Sequence, residues 1–262
     1  MEKPANRPYS TALKLIRKRL KWDLSPLSLQ SRRRLREYQD SRPGAKAVIV
    51  CNGPSLLKTD LRVLDGIDSF GLNRINVLFE TNAFRPSYIA CVDHLALENN
   101  QAFFNSTSIP LFLAYDCAGF IKPRKNVTYL HICTTLMFAR DCSHSIHTGF
   151  SVTSTALQLA FHMGYRDVAL IGCDHNYARQ GTANSKVVSD GAEKSHFDPN
   201  YFPKGQSWFL PDLAATEFFF HKARVAYESV GGRVVNCTVG GKLEIFPRME
   251  IEEWKKAFIN NP

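Results

Sequence analysis

Seven short apolar runs recur along the chain, each ending in a cluster of turn-forming or polar residues. They are 47 to 52 (AVIVCN), 69 to 73 (SFGLN), 87 to 92 (SYIACV), 109 to 114 (IPLFLA), 126 to 132 (NVTYLHI), 167 to 173 (DVALIGC) and 233 to 238 (RVVNCT). Most are continuous rather than alternating, as parallel strands covered on both faces require. Two longer segments have helical character. One is 151 to 164, opening at Ser151 and stopping near Gly164; the other is 212 to 231, opening at Asp212 and closing on Gly231-Gly232. Strand and helix in alternation predict an α/β fold, a doubly wound, mostly parallel Rossmann-like sheet. Residues 45 to 262 are assigned to it as one nucleotide-binding catalytic domain.

Two stretches break the pattern. Asp174 to Pro211 is long, polar and rich in Gly, Asn, Ser and His, yet it holds Tyr177, Phe197, Tyr201, Phe202 and Trp208. Disordered tracts rarely carry so many aromatics, so about 175–211 is expected to be a lid over a ligand. Residues 1–44, ahead of a Pro-Gly break, form a basic N-terminal extension. Residues 1 to 42 hold twelve Lys/Arg against four Asp/Glu and so carry nearly all of the net charge of +9. Leu13, Ile16, Leu20 and Leu24 fall near one helical face, with Lys14, Arg17, Lys18 and Lys21 elsewhere. Two readings stand equally: a helix lying on an anionic membrane surface through residues 11–36, or a basic helix packing its apolar edge on its own domain. Nucleic acid is not an expected partner, because residues 11–36 hold no aromatic ring for base stacking beyond Trp22.

Composition adds little beyond this. Hydrophobic residues at 44 % and charged residues at 22 % describe an ordinary globular protein. No apolar run reaches a membrane span, and no signal-peptide block opens the chain, so a cytoplasmic location is expected, peripheral at the inner membrane face if the extension binds lipid. Seven scattered cysteines without a C-x-x-C pair indicate neither a disulfide framework nor a zinc site.

Ligands of an open parallel sheet bind outside the carboxyl ends of its strands. Those ends deliver Asn52-Gly53-Pro54-Ser55, then Asn73-Arg74, then Asp93-His94, then Asp174-His175-Asn176-Tyr177. Each alone reads as ordinary turn chemistry; four together point to a site. Thr148-Gly149 precedes the helix at 151, where free N–H groups suit a phosphate. His196, in the lid, is the candidate general base. Dinucleotide, P-loop, nucleophile-elbow and zincin signatures are absent, as is the D-x-D of metal-dependent sugar transferases.

The blocks "VIVCNGPSL", "FGLNRI" and "HTGFSVTSTALQLAFHMGYRDVALIGCDHNY" resemble the bacterial family grouped with 6-hydroxymethylpterin diphosphokinase of the MptE type. They also resemble the CMP-sialic-acid-dependent sialyltransferases, whose fold is GT-A-like. The resemblance spans about residues 45 to 240 and does not separate the two activities. It implies that Asn52, Gly53, Ser55, Asn73, Thr148 and Gly149 bind nucleotide, and that Tyr177 and the lid residue His196 serve catalysis; the strand-end positions add Asp93 to the nucleotide contacts and Asp174 to the catalytic residues. The expected activity is transfer of an acidic sugar from a CMP-linked donor to a glycan or glycolipid acceptor of the bacterial surface, without metal or other cofactor. One alternative is an ATP-using pterin diphosphokinase, with Mg²⁺ held by Asp93 and Asp174. A non-catalytic nucleotide-binding module is the other.

Overall fold

The structure is a computed structural model. It describes residues 8–257, apart from Thr134, Leu136, Thr148, residues 179–180 and residues 192–193. In chain order the elements are α1 (Pro8–Asp23), α2 (Pro26–Tyr38), β1 (Lys46–Val50), β2 (Asp68–Leu72), β3 (Tyr88–Cys91), α3 (His94–Glu98), α4 (Gln101–Ser106), β4 (Leu111–Ala114), β5 (Val127–Leu130), β6 (Ile132–Cys133) and β7 (Ile146–His147). Then come α5 (Val152–His162), β8 (Asp167–Ile171), β9 (Lys186–Val188), β10 (Ser207–Phe209), α6 (Leu213–Glu228), β11 (Arg233–Asn236) and α7 (Ile251–Lys256).

Seven strands form one sheet in the order β11-β8-β1-β2-β3-β4-β5. Every pairing in it is parallel. All seven apolar runs became these strands, and both long helical segments became α5 and α6. Alternate side chains feed two cores. Val48 and Val50 join Ile89, Leu111 and Ile171 on the face covered by short 3-10 turns, α3, α4 and the 197–210 region. Ala47 and Ile49 face α5 and α6 on the other side. A fully apolar strand is what this double coverage demands.

The chain winds outward from β1 through β5, then returns to place β8 against the opposite edge of β1. Strand order therefore reverses between β1 and β8. That reversal is where a doubly wound sheet opens a crevice at its carboxyl ends.

Three connections depart from simple strand–helix alternation. Residues 54–58, 61–64 and 75–80 are 3-10 turns, too short to show a helical period. α2 escaped sequence reading although Ser25 caps it and Pro26 occupies its first turn; its arginine run hides a buried stripe of Ser28, Ser31 and Leu35. This helix covers the sheet's open edge. Ser31 Oγ accepts from the Tyr129 amide at 3.0 Å, and Arg34 Nη1 donates to the carbonyls of Arg124 and Val127. An exposed edge strand is a template for aggregation, and these contacts block it.

α1 docks through Trp22, which is buried and meets Tyr115 edge-on at 4.8 Å. Arg19 reaches the His144 carbonyl at 3.1 Å and Ser145 Oγ at 3.0 Å. The apolar edge of the helix does not pack on its own domain: Leu13, Ile16, Leu20 and the following Leu24 are all exposed.

At the amino end of the sheet, Asp167 is 1 % exposed and receives both Arg233 Nε and Nη2 at 2.9 Å and Trp254 Nε1 at 2.7 Å. Lys46 Nζ lies 3.7 Å away. Burial lowers the Lys46 pKa, while the hydrogen bond that Arg233 donates to Asp167 raises that of Arg233. Removing the carboxylate strands a cation and an indole N–H together. Asp167→Ala is expected to cost about 3 kcal/mol in urea unfolding, with a surface control such as Asp116→Ala within about 0.5 kcal/mol of the parent.

Candidate functional site

The site is built where β1 and β8 end side by side. Cys51 N donates to Ile171 O at 2.9 Å and Gly53 N to Gly172 O at 2.8 Å, so the pairing continues past both strands into their turns. Such closeness leaves no room for side chains. A Cβ on Gly53 would lie 1.9 Å from Asp174 Oδ2 and 2.6 Å from Gly172 O. One on Gly172, whose φ is +65°, would lie 2.7 Å from Cys51 O. Ser55 then ties the turns together, its Oγ and amide donating to Asp174 Oδ2 at 2.7 and 3.2 Å.

Near this junction, two buried amide oxygens, Asn52 Oδ1 and Asn73 Oδ1, have no hydrogen-bond partner among the described residues. Asn52 Nδ2 donates to the Leu72 carbonyl and to Tyr201 Oη, both at 2.9 Å. A carbonyl can only accept, so the amide's orientation is fixed and its oxygen is held away from that partner. Asn73 adopts φ +47°, a left-handed conformation that Asn tolerates, with its N–H on Ala90 O at 2.9 Å. A buried acceptor without a partner costs about 1–3 kcal/mol. Both residues lie at the mouth of the sheet's crevice, at the ends of β1 and β2, with these two oxygens covered by the surrounding protein.

These residues line a cavity of about 600 Å³, within the range of nucleotide-sized ligands. Its wall brings together Asn52, Gly53, Asn73, Asp93, Asp174, Tyr177 and His196. Ser55 and Gly149 are not among the lining residues. Ser55 acts behind the wall on Asp174, and Gly149 shapes the entry to α5. A Cβ on Gly149, at φ +52°, would fall 2.4 Å from Ser154 Cβ, and the following Phe150, Ser151 and Thr153 reach the cavity. Ser151 caps α5 through the Thr153 amide at 3.0 Å. Thr148 lies outside the described residues. Asp93 caps α3, accepting from Leu95 N at 2.8 Å and Ala96 N at 3.1 Å.

The lid segment is folded against this wall. β9 and β10 pair as an antiparallel hairpin, and Phe197, Tyr201, Trp208 and Leu210 are buried in the core. Phe197 N donates to Asn52 O at 2.9 Å, so the first strand's turn carries the lid directly. Arg74 donates to the Tyr201 carbonyl and, at 3.1 Å, to Gln206 Oε1. Burial lowers its pKa. Tyr201 Oη accepts from Asn52 and from Arg74 N, and burial raises the phenol well above its ordinary range, so it keeps its proton. The His196 ring stacks on Tyr201 at 4.1 Å and 6°, with Phe202 and Trp208 edge-on to it.

Sequence reasoning did not find Glu217. From α6 it accepts a hydrogen bond at 2.9 Å from His175 Nε2, and His175 lines the same cavity at φ +50°. No periodic or motif signal links residues 42 positions apart. Arg74 and Tyr201 were visible only as a strand-end residue and a lid aromatic.

A sequence model described as "6-hydroxymethylpterin diphosphokinase MptE-like" matches residues 27–180, more than half of the chain. The chain belongs to this MptE-like family. No curated protein sequence matches it. Among solved structures, the MAf glycosyltransferase from Magnetospirillum magneticum AMB-1 is similar, with a TM-score of 0.53 and 15 % identity. The alignment covers 87 % of this MptE-like chain and 39 % of that one. At this identity the likeness is one of fold alone.

The junction makes a direct prediction for this MptE-like site. Gly53→Ala is expected to lower stability by about 3 kcal/mol through overpacking against Asp174. Gly119→Ala, where a Cβ meets nothing within 4 Å, is expected to change it little. Equal urea midpoints for the two variants would contradict the crowding.

Proposed function

We propose that the protein is a glycosyltransferase using a nucleotide-linked donor, with a CMP-linked acidic sugar as donor class and a glycan or glycolipid as acceptor. The observation that carries this reading is the nucleotide-sized cavity at the strand-order reversal, whose wall gathers Asn52, Asn73, Asp93, Asp174, Tyr177 and His196. Side-chain amides, carboxylates and a phenol in one wall suit the exocyclic amine of a base and the hydroxyls of a ribose. The fold likeness to a glycosyltransferase supports the same reading.

In the proposed reaction, His196 takes the proton of the acceptor hydroxyl as that oxygen attacks the anomeric carbon. The bond from that carbon to the phosphate oxygen breaks, CMP departs, and the configuration inverts. Tyr177 and the N–H groups that open α5 meet the charge developing on the leaving phosphate. Asp174, held by Ser55, orients the reacting groups. Aromatic packing fixes the His196 ring, which lowers the cost of placing it. The His175–Glu217 pair offers a second imidazole oriented by a carboxylate.

The family description supports a second reading, pyrophosphate transfer from ATP to a hydroxymethylpterin. Mg²⁺, which would neutralise triphosphate charge, needs only one or two carboxylates plus substrate oxygens. Asp93 and Asp174 line the cavity and would hold it. Among the described residues, no group of three His, Cys, Asp or Glu is placed to bind a metal.

A thermal-shift panel of CMP, UDP and ATP, each with Mg²⁺ and with EDTA, separates the readings. CMP is expected to raise the melting temperature equally in both buffers. With a CMP-sugar donor, His196→Ala is expected to keep that shift while losing at least about 100-fold in kcat. A shift confined to ATP with Mg²⁺ selects the diphosphokinase. Loss of turnover in His175→Ala but not in His196→Ala moves the base to the His175–Glu217 pair.

A further inference from the structure

The outward face of α1 is turned to solvent. Successive helix residues turn by about 100°, which puts Tyr9, Leu13, Ile16 and Leu20 in one stripe about 17 Å long, roughly 150° around the axis from Trp22. Trp22 is 1 % exposed, whereas Tyr9, Leu13, Ile16 and Leu20 are 89 %, 48 %, 55 % and 51 % exposed. Leu24, just past the helix, is 81 % exposed. The helix is therefore fastened by one face and presents its longest apolar stripe to solvent on the other. Surface helices of a globular domain do the reverse.

Charge decides what covers the stripe. α1 holds Lys14, Arg17, Lys18, Arg19 and Lys21 against a single acid, Asp23, in the sequence PYSTALKLIRKRLKWD. Arg19 pairs with Asp23 and Lys18 with Asp116, while Lys14, Arg17 and Lys21 are exposed along one flank of the stripe. A second copy packed on this face would bring those cations against their own counterparts. An anionic surface with an apolar interior satisfies both features at once.

We infer that α1 is a membrane-surface anchor that lies in the headgroup region of an anionic phospholipid bilayer, apolar stripe inward. Its anchoring contacts place it at a defined edge of the sheet. Trp22 touches Tyr115, which follows β4, and His131, which follows β5. Those are carboxyl ends of strands, the same edge on which the β1/β8 cavity opens. A bilayer held there lies on the side of the molecule that a lipid-linked acceptor must approach. The inference stands apart from the proposed chemistry, since lipid binding needs no substrate.

The test is co-sedimentation of the full chain with vesicles of phosphatidylcholine alone and with phosphatidylglycerol added. Binding is expected only with the anionic lipid, and it should weaken as salt rises from about 0.1 M to about 1 M and the screening length falls from about 10 to about 3 Å. Replacing Lys14, Arg17 and Lys21 together by Gln is expected to reduce partitioning at least ten-fold, as is replacing Leu13, Ile16 and Leu20 by Ser. Unchanged CMP-induced or intrinsic melting behaviour in either variant shows that the fold is retained. Equal binding to neutral vesicles, or no binding to either, overturns the inference in the parent protein without any variant. So does a dimer, seen by sedimentation without lipid, that the Ser substitutions dissolve, or capture of single-stranded nucleic acid in place of vesicles.

Discussion

Everything in the site hangs on the contact between the turns that follow β1 and β8. Their backbones pair beyond the strands, at Gly53 N and Gly172 O, at a separation only glycine permits. That closeness puts Asp174 within reach of Ser55 and fixes the line along which Asn52 leaves the sheet. A side chain at either glycine would push the turns apart, and the crevice would lose its floor.

From this floor the walls follow in order. Asn52 holds the end of β2 through Leu72 O and the lid through Tyr201 Oη, while its backbone carbonyl takes Phe197 N. One residue thus ties two strand ends to a segment almost 150 positions away. Arg74, the next residue but one after β2, grips the same lid from the other side. The lid's aromatic cluster in turn sets the His196 ring. Position and exposure of the candidate base are consequences of packing, and packing is a consequence of the first turn.

The strands were legible because burial on both faces imposes continuous apolar runs, a local signal that survives without tertiary context. The polar residues that end them were legible for the same reason: wherever such a run stops, the next residue stands at the sheet's rim. Pairings were not. Nothing near Ser55 announces Asp174, and nothing near His175 announces Glu217, because both contacts depend on the order in which strands are laid side by side. The amphipathic stripe of α1 could be read from spacing alone, but its direction could not. Trp22, one bulky residue off that stripe, decides which side of the helix meets the protein. α2 was missed because its buried face is Ser28, Ser31 and Leu35, in which one apolar residue is too few to register as a core and Ser31 bonds the edge strand instead.

In the proposed function, the crevice at the β1/β8 reversal receives a nucleotide, with the lid closing its side. Hydrogen–deuterium exchange with saturating CMP tests it most directly. Slowed exchange is predicted at the turns near residues 52–56 and 172–177, at the start of α5, and in the lid at residues 195–202, with β4 and α7 unchanged. Slowing confined to other surfaces, or none at a concentration that saturates binding, would contradict it.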